Sequence, residues 1–122
     1  MEKIFEQGLL YDFYGELLTD HQKKMYEAAV FNDLSLSEIA VEAGISRQGV
    51  HDLLKRCDRI LQGYEEKLHL VERFQNAKKT MDEIWKLSDT AAQELQEKKG
   101  NEHLTGKLVK IGQLSRDLIE EL

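Results

Sequence analysis

The chain has 122 residues, of which 41% are hydrophobic, enough for one globular core and too few for two ordinary domains. Its 17 basic and 23 acidic residues give a formal net charge of −6. This balance excludes a protein that coats nucleic acid or anionic lipid through bulk charge, so any contact with DNA must come from a local basic patch.

Helices are predicted along the whole chain. Proline is absent, good helix formers such as Ala, Leu, Glu, Lys and Gln are frequent, and β-branched residues are scattered, so the class is all-α. No amino-terminal signal pattern is evident and no apolar run approaches the ~18 residues of a membrane span. We therefore expect a cytoplasmic protein without membrane insertion. The single cysteine, Cys57, cannot form an internal disulfide and occupies an apolar row, which favours a place in the core.

Two helices are predicted in the first thirty or so residues. The first covers residues 3–17, where apolar side chains recur at spacings of three and four: Ile4, Phe5, Leu9, Phe13 and Leu17. Its other face is acidic. The second begins at Thr19, which can form a capping box with Gln22, and its buried stripe is predicted to be Met25, Ala29 and Val30.

A helix-turn-helix motif is predicted in residues 35–55. Ser35 and Glu38 form a second capping box, which begins a short helix that runs to about Ala43. Gly44 supplies the left-handed backbone that ends a helix at little cost, and Ser46 caps the next helix. Two helices joined by so short a turn must cross steeply. The small residue at the crossing is Ala40, and the interior positions are Ile39, Ala43, Ile45, Val50 and Leu53.

The outward side of the second helix of this motif is the candidate DNA-binding surface. Arginine can bond a guanine edge bidentately or hold a phosphate, glutamine can pair with adenine, and histidine and lysine suit base edges or the backbone. Four basic residues between Ser46 and Arg59 oppose two acidic ones, Asp52 and Asp58. Four neutralised phosphates would give a logarithmic salt slope of about −3.6, a weak hold for a monomer. The candidate residues are Ser46, Arg47, Gln48, His51, Lys55, Arg56 and Arg59.

Two other interpretations of this surface stay open. The charges can belong to a solvated helix face with pairs such as Asp52 and Arg56, or the surface can dock a protein. Gly49, inside the helix, costs about 1 kcal/mol relative to alanine. A close approach of this backbone to DNA or to another helix could offset that cost. It is equally consistent with the sequence that the glycine has no such role.

Long amphipathic helices are predicted after the motif. Apolar residues continue from Val50 to Leu95 at spacings of three and four, which suits one long helix or two, with Gly63 as the expected break or kink. The segment KKGNEH is predicted to be a turn, and a closing helix follows from Leu104 to Leu122. We divide the chain into a helix-turn-helix domain, residues 1–67, and a helical extension, residues 68–122, packed as one unit with it. The extension exceeds what one small core can cover, so a homodimer through the carboxy-terminal helices is expected.

No catalytic, metal or cofactor site is predicted. The four histidines lie far apart, without the cysteine or carboxylate spacing of a metal site. The carboxylate pairs Glu65–Glu66 and Glu120–Glu121 are adjacent in sequence and point different ways on a helix, which makes them poor acid and base partners. Ser46 has no setting of histidine and aspartate that would make it a nucleophile. We therefore expect no enzymatic activity.

The segment LLTDHQKKMYEAAVFNDLSLSEIAVEAGISRQGVHDLLKRCDRIL resembles region 4 of bacterial sigma-70 factors, the carboxy-terminal domain that reads promoters. Together with LYDFYGELLTDHQ and YEEKLHLVERF, it makes the whole chain similar to the YlxM family of helix-turn-helix proteins. The resemblance implies a wingless helix-turn-helix within a helical bundle, with Arg47, Gln48, His51 and Lys55 in the reading positions. It does not extend to the sigma domain that melts promoters, so a complete sigma factor is not expected.

The resemblance also implies a link with protein secretion. Genes of the family typically lie beside those of the signal recognition particle GTPase and its receptor. Two hypotheses follow: a dimeric transcription regulator that binds double-stranded DNA, and an accessory factor that binds components of the signal recognition particle and uses the helix-turn-helix only as a scaffold.

Overall fold

The computed structural model describes residues 2–97 and 102–121, and within these ranges the chain forms helices and no strand. The helices are α1 (Glu2–Tyr14), a short 3₁₀ helix (Gly15–Leu17), α2 (Asp20–Val30), α3 (Leu36–Ala43), α4 (Arg47–Leu68), α5 (Leu70–Gln96) and α6 (Glu102–Glu121). They form two compact units, Met1–Val71 and Glu72–Leu122. The predicted all-α class, a helical bundle with long carboxy-terminal helices, is confirmed.

The helix starts around the motif are fixed by local hydrogen bonds, as predicted. Thr19 forms its capping box with Gln22 at the start of α2, and Ser35 forms one with Glu38 at the start of α3. Gly44 ends α3 in the left-handed region at φ 70°, where a glycine carries no side-chain penalty. Ser46 Oγ accepts a hydrogen bond from the backbone nitrogen of Gly49 at 3.0 Å. These caps end α3 at Ala43 and begin α4 at Arg47, so only three residues join the two helices.

The core of the first unit consists of two neighbouring clusters. One gathers α1, α2 and α4 around Tyr14, Tyr26, Cys57 and Leu61, together with Leu10, Leu18 and Val71. The other holds the helix-turn-helix together through Met25, Ile39, Ala40 and Val50. Cys57 is fully buried, as predicted, and burial raises the pKa of its thiol to about 11. Ala40 lies in the crossing, also as predicted, whereas Ile45 is exposed rather than interior.

The buried face of α1 differs from the prediction. Phe5, Ile4 and Leu17 are exposed, and the residues buried instead are Leu10, Tyr14 and Leu18. The helix ends at Tyr14 and tightens into the 3₁₀ turn, so the periodicity assumed through residue 17 does not hold. The inward face is also partly polar, because Gln7 and Tyr14 on it bond to side chains of α4. An apolar pattern alone does not identify such a face.

The expected break at Gly63 is wrong. The α4 helix continues through this residue to Leu68 and ends at His69, which adopts a left-handed φ of 54°. Three hydrogen bonds fix the chain at this point: Tyr14 Oη donates to Glu65 Oε1 at 2.5 Å, the Val71 nitrogen donates to the same oxygen at 3.0 Å, and the Leu70 nitrogen donates to Tyr14 Oη at 3.1 Å. The break is therefore set by a contact with α1 and not by a glycine.

In the second unit, α5 and α6 run antiparallel. Gly112 lies close to the Trp85 ring, and the Arg116 guanidinium stands over that ring at 4.8 Å from its centroid. Of the predicted turn KKGNEH, residues 98–101 lie outside the described residues, and the last two residues begin α6; Leu122 also lies outside them. None of the described helices has the length and apolar character needed to span a membrane.

Candidate nucleic-acid interface

The outward side of α4 carries all the residues predicted to contact DNA. The packing of Val50 and Leu53 beneath it sets which side of the helix faces out. His51 is half-buried, and the remaining predicted residues are exposed: Ser46, Arg47, Gln48, Lys55, Arg56 and Arg59. Ser46 precedes the helix as its cap, and the others lie on its first thirteen residues. The structure thus brings them together on a single helix.

Two grooves border this side of α4, so it forms a ridge. The groove toward the start of α3 is lined by Leu36, Arg47, Gln48 and His51. The groove toward the start of α2 is lined by residues of α2 and α4 that include His21, Gly49 and Arg56. A projecting helix of this kind has the size that the major groove of B-DNA admits.

The cations of the ridge are not neutralised by any of the described residues. Arg47, Lys55, Arg56 and Arg59 form no ion pair in the described ranges. Elsewhere, Lys23 pairs with Glu16 at 2.8 Å and Lys86 pairs with Asp82 at 2.9 Å. The four cations of the ridge are therefore available to a polyanion.

The two carboxylates of this segment are placed differently. Asp58 points into the first unit, where Tyr26 Oη donates to its Oδ1 at 2.6 Å and Gln7 Nε2 donates to it at 3.0 Å. Burial and the neighbouring Asp58 carboxylate raise the pKa of Tyr26. Only Asp52 remains on the exposed side. The balance on the ridge is thus four cations to one carboxylate, and the sequence count of two carboxylates overstated the repulsion of phosphate.

Asp52 is engaged by its neighbours on α4. Gln48 Nε2 donates to Asp52 Oδ1 at 3.0 Å, and His51 Nδ1 lies 3.6 Å from the same oxygen. The alternative pair of Asp52 with Arg56 is not formed. His51 Nδ1 itself is buried and has no hydrogen-bond partner among the described residues. The bond to Asp52 uses one of the two donors of the Gln48 amide, so its second donor and its carbonyl oxygen remain for a base edge.

The lack of a side chain at Gly49 leaves room for the hydrogen bond that caps α4. A Cβ at this position would lie 3.2 Å from Ser46 Oγ, and its other near neighbours belong to Ile45. The glycine thus leaves room for the capping hydroxyl, and no second helix lies within contact distance of it. In the described ranges no three side chains of histidine, cysteine, aspartate or glutamate are grouped so that they could hold a metal ion.

Sequence reasoning found the ridge and missed the residues that shape its charge. Tyr26 and Gln7 draw Asp58 inward, yet they lie 32 and 51 positions from it in the chain. In the sequence, the only indication of this contact is that Tyr26 places a hydroxyl on the apolar side of α2.

Most of the chain is similar in sequence to known proteins. Residues 1–101 match the model of a family described as "Putative helix-turn-helix protein, YlxM / p13 like". A UPF0122 protein of Thermoanaerobacter sp. (strain X514) is 53% identical over 78 residues, which cover 64% of this chain and 67% of the relative. A UPF0122 protein of Bacillus licheniformis is 44% identical over 89 residues, which cover 73% of this chain and 83% of the relative. A third relative, from Desulforamulus reducens, is 44% identical over 89 residues, covering 73% of this chain and 76% of its own. The chain belongs to the YlxM and p13-like family of helix-turn-helix proteins.

Proposed function

We propose that the protein regulates transcription by binding double-stranded DNA through the outward side of α4. The observation that carries this proposal is the charge of the ridge: Arg47, Lys55, Arg56 and Arg59 have no ion-pair partner in the described residues, and Asp52 is the one carboxylate exposed among them. In a chain of net charge −6, a helix side with four unpaired cations and one carboxylate is a local surface suited to phosphates.

The first two turns of α4 supply the groups that read bases. Arg47 and Gln48 lie in the first turn, the part of a recognition helix that enters the major groove. Arg47 can bond guanine O6 and N7, and Gln48 can bond adenine N6 and N7. His51 and Lys55 follow on the same side, one and two turns later. Arg56 and Arg59 lie further along the helix, where they suit the phosphate backbone.

We propose that the DNA-binding form is a homodimer joined through the carboxy-terminal helices, and that it acts in the cytoplasm. Four phosphate contacts from one protomer give only a weak hold at physiological salt, and a second protomer doubles their number. Two ridges related by a twofold axis would occupy half-sites about 34 Å apart, one turn of B-DNA.

Selection of bound sequences from random duplex DNA at physiological salt tests the proposal. We expect an enriched motif with two related half-sites. The double variant Arg47→Ala, Lys55→Ala should lose its binding to the selected DNA, because it removes one base-reading and one basic side chain from each ridge. The variant Lys86→Ala is the matched control, since Lys86 is already paired with Asp82. Binding that the double variant retains in full would refute the proposal.

A second candidate function is that of an accessory protein of the signal recognition particle. The observation that favours it is an exposed apolar patch where α1 meets the end of α2, formed by Ile4, Phe5 and Phe31. A Cβ at Gly8 would lie 3.7 Å from the Phe31 ring, so the two helices adjoin there, and the acidic residues Glu6 and Asp33 are close in sequence. The link to the particle itself rests on the resemblance alone. Capture of particle components by the wild-type chain but not by Phe5→Ser would support this candidate, and tight binding of selected DNA without such capture would remove it.

A further inference from the structure

The residues that are buried in the second unit are all small. Among its described residues, 72–97 and 102–121, they are Ser88, Ala92, Thr105 and Gly112. Small residues let two helices approach closely, but they remove little apolar surface from water. The larger apolar side chains of α5 and α6 are half-buried, as Trp85 and Leu108 are, or exposed, and the exposed ones remain to be covered.

Apart from Val109, the exposed ones lie on one side of the antiparallel pair. Leu104, Ile111 and Leu118 recur at heptad spacing on α6, and each is exposed. On α5, Ile84 and Leu87 are exposed three residues apart. A groove joins the two helices on this side, lined by Thr80, Met81 and Ile84 from α5 and by Leu114 and Leu118 from α6. We call this side the apolar face; it consists of Ile84, Leu87, Leu104, Ile111, Leu114 and Leu118.

Both edges of the apolar face carry charges of both signs, and each edge changes from basic to acidic in the direction of the chain. Along α5, Lys79 precedes Glu83 by four residues, and Glu94 follows Leu87 by seven. Along α6, Lys107 and Lys110 come first, and Asp117 follows Lys110 by seven residues. These six charged side chains are exposed. When α6 of a second copy lies antiparallel to α5, the basic half of each edge therefore lies opposite the acidic half of the other, and the face is complementary in charge to itself.

We propose that the apolar face binds a second copy of this chain, with α5 of each protomer against α6 of the other, to form a four-helix bundle. In this arrangement every helix is antiparallel to its neighbours, and the basic half of each charged edge meets the acidic half of the edge opposite it. This inference specifies the interface of the dimer proposed above and rests on that dimeric form.

The size of the face suits a stable dimer. The α6 helix has 20 residues, which at 1.5 Å per residue is about 30 Å, and two adjacent helices are about 20 Å wide. The face therefore covers roughly 600 Å² in projection, close to the ~800 Å² of accessible surface that each partner buries in stable complexes.

The first test measures the mass of the full chain by sedimentation equilibrium without DNA. The variant Leu114→Glu places a carboxylate in the centre of the interface and should raise the dissociation constant of the dimer at least about a hundredfold. The matched control is Val109→Glu on the same helix: Val109 is 54% exposed and Leu114 59%, but Val109 lies off the apolar face. Leu87→Glu, at a residue that is 71% exposed, repeats the test on α5, and circular dichroism checks that the helices persist.

The second test uses the charged edges. Variant one, Glu83→Lys with Glu94→Lys, makes the α5 edge basic throughout, and variant two, Lys107→Glu with Lys110→Glu, makes the α6 edge acidic throughout. Each alone should dimerise about tenfold more weakly than the wild type, because like charges then face each other along half of each edge. An equal mixture should form the mixed dimer in preference to either homodimer, because the basic α5 edge then meets the acidic α6 edge. If α5 instead faced α5 of the partner, the mixture would not favour the mixed dimer, which would overturn the arrangement.

The remaining outcomes are also decisive. A wild-type chain that is monomeric at all micromolar concentrations would overturn the second copy as the occupant and leave the face to a different protein. Equal dimerisation of Leu114→Glu and Val109→Glu would overturn the face. Because these measurements contain no DNA, they are separate from the DNA-binding proposal, and Arg47→Ala should leave the mass of the dimer unchanged.

Discussion

The salt dependence of DNA binding gives the sharpest quantitative prediction for the ridge on α4. The four cations of the ridge have no ion-pair partner in the described residues, so the ridge of one protomer can neutralise at most four phosphates. The logarithmic slope of the association constant against salt is then about −3.6 for a monomer and about −7.2 for a dimer. Between 50 and 200 mM salt, the affinity should fall about 150-fold for a monomer and about 20,000-fold for a dimer.

The variant Arg56→Ala, Arg59→Ala isolates the phosphate contacts of the ridge. It removes two phosphate contacts per protomer, so the slope should become shallower by about 1.8 for a monomer or about 3.6 for a dimer. Fluorescence anisotropy of a labelled duplex, titrated at several salt concentrations, measures both slopes. The control Lys86→Ala should leave the slope unchanged, because Asp82 already neutralises that lysine. A slope that is the same in the double variant and the wild type would refute the assignment of these two cations to the interface.

Three further predictions concern the scaffold that presents the ridge. Tyr26→Phe removes a hydrogen bond to the Asp58 carboxylate and should lower the free energy of unfolding by about 2 kcal/mol in urea titrations; a loss below about 0.5 kcal/mol would show that Gln7 alone satisfies Asp58. Gly44→Ala should lower the free energy of unfolding by about 1 kcal/mol, because the φ of 70° at this residue penalises a Cβ although the space around it is open. Gly44→Asn should lower it by less, and thermal unfolding of the two variants measures the difference. The third prediction is a loss of stability at alkaline pH: folding raises the pKa of Cys57 from 9.0 to about 11, so the contribution of its protonated thiol is complete below pH 9 and is lost as the pH rises through 11. Urea midpoints for the wild type and Cys57→Ala should therefore converge over this range, and parallel pH profiles would contradict the prediction.

The features that sequence reasoning predicted correctly are those fixed by residues close together in the chain. The boxes at Thr19 and Ser35, the left-handed Gly44 and the cap at Ser46 each involve partners within a few positions, so their chemistry is visible in the sequence. The outward side of α4 follows from these caps together with the helical repeat. This is why the placement of the candidate residues on one ridge could be predicted.

The features that sequence reasoning missed depend on contacts between distant residues. The end of α4 falls at His69 because Tyr14 and Glu65, 51 positions apart, hold the chain there, and a glycine six residues earlier is accommodated within the helix. The inward position of Asp58 likewise depends on Tyr26 and Gln7. Polar side chains that face inward and find partners on another helix leave no apolar period to detect. The α1 face was mistaken for the same reason.

The hydrogen bonds beyond the end of α4 determine where the chain can be truncated without loss of contacts in the first unit. The amides of Leu70 and Val71 belong to α5 by geometry, yet they donate to Tyr14 and to a carboxylate of α4, and Val71 is buried among the first cluster. A fragment of the first unit therefore has to retain residues through Val71, since a terminus at Lys67 would strip Glu65 and Tyr14 of these two donors. In hydrogen exchange, the Val71 amide should be protected to the same degree as amides deep in α4. The exchange rate of this α5 amide would then measure the opening of α4.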